Sequence, residues 1–163
     1  MRIAAALLLP AALVAQAPSW DGDYVLEPDK CDNIPDAIKK LTDPMNFALR
    51  AFWKKKLEGS EKPPQNLSLL KGSNATLTVN KEIPFTVSPG SPAKWKRADG
   101  DTFEVSYKEE APAFSLIFAQ DDVARTWRFS LSADGKALSV EVTLRNPKLP
   151  GPLTYHLQYR KAG

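Results

Sequence analysis

The chain has 163 residues, 43% of them hydrophobic and 25% charged, with a formal net charge of +3. That composition excludes a disordered polymer, the length suffices for one domain with a sizeable core, and the near balance of charge argues against nucleic acid as a partner. The single cysteine, Cys31, rules out an internal disulfide, so the fold must rest on its core.

The N-terminus reads as a secretory signal. Arg2 supplies the positive charge, and the Ala- and Leu-rich run over 3–14 is too short to span a bilayer comfortably. Ala15-Gln16-Ala17 matches the small-x-small cleavage pattern. Cleavage after Ala17 gives a signal peptide, 1–17, and a single domain, 18–163. Cleavage after Ala15 is the alternative, because Pro18 is an awkward first residue, and an uncleaved membrane anchor is another. The expected location is the periplasm or the cell exterior.

A short strand over 24–26 follows the turn residues Asp21 and Gly22, and Pro28 ends it. The texture then changes. Asp32 or Asn33 can cap a helix with Pro35 in its first turn, and Ile34, Ala37, Ile38 and Leu41 recur at helical spacing. Asp43-Pro44 interrupts that pattern. A second helix is expected from Pro44, with Met45, Ala48, Leu49 and Phe52 as its apolar stripe and Gly59 as its stop. Lys54, Lys55 and Lys56 suit the negative end of that helix. The predicted helices span 34–42 and 44–57.

From residue 66 onward the period becomes two. Phe103, Val105 and Tyr107 alternate with polar neighbours, as do Trp127, Phe129 and Leu131, then Leu138, Val140, Val142 and Leu144, then Leu153, Tyr155, Leu157 and Tyr159. Side chains on a strand alternate between faces, so each run has one apolar and one polar side. Strands are predicted at 66–71, 74–80, 83–87, 93–98, 102–108, 113–119, 123–132, 136–145 and 152–161. Most of the links between them are tight-turn sequences such as Asp99-Gly100-Asp101 and Asp134-Gly135. The expected class is mainly β: an antiparallel up-and-down barrel of about ten strands, with two short helices inserted between strands 1 and 2. Closure removes the exposed edges that an open sheet of this size would carry, and the first strand is placed beside the last. A two-sheet sandwich is the alternative.

This layout resembles the calycin group, the lipocalins and fatty-acid-binding proteins. Gly22-Asp23-Tyr24 is similar to the Gly-x-Trp near the first strand of lipocalins, with Tyr in place of Trp. In that family an arginine near the last strand packs across the ring, and Arg160 is the candidate here. The helix pair after the first strand resembles the fatty-acid-binding branch, where two helices form a lid. The Gly-x-aromatic start and the Pro152-Leu153-Thr154-Tyr155 ending are also similar to small secreted bacterial lipocalin-like proteins. The resemblance implies a non-enzymatic protein that holds a small hydrophobic or amphipathic, lipid-like molecule inside the barrel. Phe103, Phe118, Trp127, Phe129 and Tyr155 would line the interior, with Met45, Leu49 and Phe52 facing it from the lid. The same bulky side chains can instead fill the barrel, which would make it a protein-interaction or inhibitor module of the cell envelope.

An unrecognised enzyme is the further alternative and would require a polar cluster converging in a pocket, but the residues offer little catalytic chemistry. His156, the sole histidine, falls on a polar strand face and cannot build a multi-histidine metal site. Cys31 lacks a partner in sequence, and no phosphate loop, nucleophile elbow or metal-binding cysteine pair occurs. Nothing calls for a cofactor or a metal. Arg128, Arg145 and Arg160 lie on polar strand faces. They would bind a carboxylate headgroup only if those faces turned inward, and an interior arginine with a tyrosine is the arrangement that fatty-acid-binding proteins use. Phe52 and Trp53 beside the lysines of the second helix are the candidate for transient membrane contact.

Overall fold

The computed structural model describes residues 17–97 and 99–163. The expected signal peptide, apart from Ala17, lies outside them. Ten strands form one continuous antiparallel sheet, so the architecture is a barrel and not a sandwich. In chain order these are β1 (Gly22–Leu26), β2 (Asn66–Lys71), β3 (Ala75–Val79), β4 (Phe85–Val87), β5 (Ala93–Lys96), β6 (Thr102–Glu110), β7 (Ala113–Gln120), β8 (Val123–Leu131), β9 (Ala137–Arg145) and β10 (Leu153–Lys161). Around the sheet the order is β4-β3-β2-β1-β10-β9-β8-β7-β6-β5. The first strand closes on the last, with Tyr24 opposite Lys161 and Leu26 opposite Tyr159.

The seam lies between the two shortest strands, β4 and β5. There the continuous ladder gives way to the rings of Phe85 and Trp95, which meet at 5.0 Å, and to an isolated backbone bridge between Pro89 and Tyr107. Short edge strands are one way to blunt an open sheet edge. The barrel is therefore nearly closed.

Between β1 and β2 the chain makes a 3-10 turn (Pro28–Lys30) and the helices α1 (Ile34–Thr42) and α2 (Phe47–Ser60). Each α-helix starts at an asparagine whose side chain accepts from the backbone three residues on: Asn33 from Asp36 N at 3.1 Å, and Asn46 from Leu49 N at 3.0 Å. α2 thus begins three residues later than the predicted Pro44. The Asp43 and Met45 carbonyls just before it are held by Arg50 Nη2 at 2.6 and 3.0 Å. α2 also runs through Gly59, the predicted stop, because Glu61 N donates to Leu57 O at 2.8 Å and its carboxylate is anchored in the barrel mouth. That anchoring offsets the roughly 1 kcal/mol a helical glycine costs.

The inward faces of the strands make the core. Away from the helices this core is solid: Phe114 stacks on Phe129 at 4.8 Å, Tyr107 stacks on Phe114, and Trp20 meets Phe114 edge-on at 5.1 Å. Lys71 Nζ lies over the rings of Trp20 and Phe114. This end also holds the lipocalin-like motif, with one correction. The cation over the Tyr24 ring is Lys161, at 5.8 Å, and not Arg160, which is exposed. Lys161 shares the inward parity of Tyr155, Leu157 and Tyr159, whereas Arg160 points outward. Gly22 leaves space for it, since a Cβ there would strike Lys161 Cε.

Candidate functional site

The helices cover the opposite mouth, where β3, β5 and β7 end and β6, β8 and β10 begin. A pocket of about 80 Å³ opens there. Trp95 from β5, Phe103 from β6, Phe118 from β7 and Trp127 from β8 form its wall. Phe118 meets Trp127 at 5.1 Å and Trp95 at 5.6 Å, so the rings form a connected surface. Ser60, Lys62 and Pro64 border it from the end of α2 and the connector, and Asn80 and Glu82 from the β3–β4 loop. Asn80 has a left-handed backbone (φ 48°), and its Oδ1 accepts from Gln65 N at 2.8 Å, which ties that loop to the connector.

The pocket floor carries charge. Arg125 shares the inward face of β8 with Trp127 and Phe129, and its Nη2 pairs with Glu61. Glu61 caps α2, and its side chain is 1% exposed. Its second carboxylate oxygen accepts from Tyr155 OH at 3.0 Å, and Ser60 Oγ donates to the first at 3.1 Å. Burial, reinforced by the Glu61 charge, pushes the Tyr155 hydroxyl far above the ordinary phenol range, so it stays a donor. A buried carboxylate needs such partners to offset its lost hydration. Two buried donors remain without a partner among the described residues: Arg125 Nε and Trp127 Nε1, both on residues that line the pocket. Both nitrogens are closed off from the pocket space by the packing around them.

Of the residues expected to line the interior, Phe103, Phe118 and Trp127 come together in this pocket. Phe129 and Tyr155 do not line it. Phe129 is wholly buried against Phe114, and Tyr155 is spent on Glu61. The expected lid stripe is a correction. Leu49 and Phe52 are 49% and 57% exposed, and Met45, half-buried, precedes the helix. With the helix starting at Phe47, the inward pair is Trp53 and Leu57, one turn apart. Arg128 and Arg145 are exposed like Arg160, and Arg128 pairs with Glu110 at 3.3 Å. The inward arginine is Arg125. Its parity with Trp127 and Phe129 was the available signal, whereas nothing in the sequence placed Glu61 beside it.

A second, more open groove of about 310 Å³ lies on the other side of Glu61 and Lys62. Leu26, Ile34, Ile38 and Leu157 give it an apolar lining. Cys31 borders it with its sulfur engaged by the backbone, donating to Glu27 O at 3.2 Å and accepting from Gln158 N at 3.3 Å. His156 sits on the outer face of β10, its ring nitrogens 2.9 Å from Asp32 and 3.1 Å from Glu141. The Asp32 hydrogen bond raises its pKa, aided by Glu141, against a smaller effect of burial.

No protein-family model matches the sequence, and no curated protein matches it. Solved structures do match. A secretary abundant heat soluble (SAHS) protein from Ramazzottius varieornatus is 11% identical with a TM-score of 0.60, over 90% of this chain and 98% of that one. A Schistosoma mansoni fatty-acid-binding protein in complex with arachidonic acid is 12% identical with a TM-score of 0.55, over 88% and 96%. An Echinococcus granulosus fatty-acid-binding protein 1 is 14% identical with a TM-score of 0.55, over 87% and 96%. At such identities the likeness is one of fold: the chain shares with these structures a ten-stranded, nearly closed antiparallel barrel with two helices between the first two strands.

Proposed function

We propose that this is a secreted, non-enzymatic binding protein for a small hydrophobic or amphipathic, lipid-like molecule, held at the helix-covered mouth of the barrel. The carrying observation is the pocket walled by Trp95, Phe103, Phe118 and Trp127 at the helix-covered mouth. Aromatic walls beside convergent polar groups suit a small amphipathic molecule. The arachidonic acid in one structure of the same fold supports a lipid-like ligand. So does the N-terminal signal-like segment, for secretion. Glu61 is held by Arg125, Tyr155 and Ser60, and among the described residues the site presents no nucleophile beside a base, which supports a binding role over catalysis.

The pocket is smaller than the ~300–1,000 Å³ typical of ligand sites. It suits a ring or a headgroup. The test is a fluorescence titration of the mature protein with a panel of fatty acids, alcohols and sterols. Trp95 and Trp127 line the pocket and report its occupancy directly. A saturable change whose midpoint moves to higher ligand concentration in Phe103→Ala, which keeps both tryptophans, supports the reading. No response to any member contradicts it.

The interaction-module reading keeps one observation in its favour. The lower barrel is filled, while Phe47, Leu49 and Phe52 on α2 face solvent beside Arg50, Lys54 and Lys55. In a lipid-binding protein the same apolar and basic face suits transient contact with an anionic membrane surface.

A further inference from the structure

The apolar part of the pocket lining is mostly aromatic. Its rings run as a chain from Phe103 to Trp95, Phe118 and Trp127, with successive centroids 6.1, 5.6 and 5.1 Å apart and every pair tilted or edge-on. The charged part is mainly cationic, with Lys62, Arg97 and Arg125 against Glu82. Asp99 holds Arg97 at 3.1 Å and Glu61 holds Arg125, so both guanidinium groups are fixed, and 37% and 21% of their side chains stay exposed. Deeper in, the barrel is closed. Phe129 meets Trp127 at 6.3 Å and stacks on Phe114 at 4.8 Å, and both phenylalanines are wholly buried.

Resting on the carrier reading above, we propose that the part of the ligand that enters this pocket is a planar, electron-rich aromatic ring of the phenol, naphthol or indole class, and not an acyl chain. Size decides against the chain. The space is about 80 Å³, and a tail continuing down the barrel would have to displace Phe129 and Phe114. Chemistry decides for the ring. Aromatic rings packed edge-on or offset gain more than the area they bury. The negative face of an electron-rich ring also attracts guanidinium and ammonium groups. An alkyl chain gains neither, and it strips water from the same cations without return.

The experiment titrates the protein calorimetrically at neutral pH with naphthol, with its saturated analogue decahydronaphthol, and with hexanol, octanol and decanol. Naphthol is expected to bind about five- to tenfold more tightly than decahydronaphthol. Along the alcohols the gain should stay below about twofold per methylene, against the roughly fourfold that full burial of a methylene gives. Phe103→Leu keeps an apolar wall but removes one ring, at a position that is only half-buried. It should weaken naphthol about fivefold and leave decahydronaphthol within about twofold. If Phe103→Leu fails to fold, the wild-type ratios decide the matter. Equal affinity for naphthol and decahydronaphthol, a roughly fourfold gain per methylene through decanol, or equal loss of both ring ligands in Phe103→Leu would each overturn the proposal and leave the carrier reading standing. Failure of every one of these ligands to bind wild type would overturn both.

Discussion

At the barrel mouth Glu61, Arg125 and Tyr155 meet from three separate stretches of chain, and the cost of separating them is asymmetric. Removing one partner of a buried ion pair strands the other, at about 3–5 kcal/mol, whereas removing both is far milder. Arg125→Met is therefore expected to destabilise by about 3 kcal/mol in urea unfolding, the lower end because Arg125 is partly exposed. Adding Glu61→Gln should recover much of the loss. On the outer face, His156 gives a pH dependence with a definite sign. Its folded pKa lies above the ordinary 6.5, so its contribution is full below that value and fades as pH rises through the folded pKa. The Asp32 pKa is lowered by hydrogen bonds from His156, so its share is present above the ordinary 3.8 and is lost as pH falls through the folded value. The pair is strongest between these limits. His156→Asn should flatten the change in melting temperature between pH 6 and 8, by a small amount, since both groups are about half exposed. Parity made Arg125 legible in the sequence: 125, 127 and 129 share a face. The same rule places Lys161, not Arg160, over Tyr24. Glu61 was not legible, because its position depends on where α2 ends, and that end is set by tertiary contacts.

At the scale of elements, the strands were readable because each has one buried and one wetter face, and the two-residue period survives in the sequence. α1 was readable from its asparagine cap and its Ile34–Ile38 stripe. α2 was harder. Its outward face carries Phe47, Leu49 and Phe52, so apolarity alone pointed to the wrong side. Gly59 was read as a stop signal, but it sits inside the last turn with open space where a Cβ would be. Gly59→Ala should therefore stabilise the protein by about 0.5–1 kcal/mol, measured as a shifted urea midpoint at constant slope. A loss of stability there would mean that the helix end is not held as described.

For the whole molecule, the barrel divides into a filled lower part and a mouth with a pocket. Phe129 and Phe103 sit on opposite sides of that division, which makes them separable by mutation. Phe129→Ala should cost about 3–5 kcal/mol through the cavity it leaves, with ligand affinity unchanged in protein that remains folded. Phe103→Ala, at a partly exposed wall position, should cost less stability and weaken binding. The barrel architecture followed from strand count, link lengths and the need to close edges. Whether its interior was hollow did not, because the same alternating aromatics either fill a barrel or line one. Only their packing distances separate the two.

The most direct test of a ligand-binding mouth is native mass spectrometry of the protein purified from its native source, followed by denaturing extraction. The account predicts a reproducible co-purifying small molecule with an apolar body, released on denaturation and reduced in Phe103→Ala. A clean apo mass from every preparation, with no uptake from a lipid panel, would contradict it and leave the filled barrel as an interaction module.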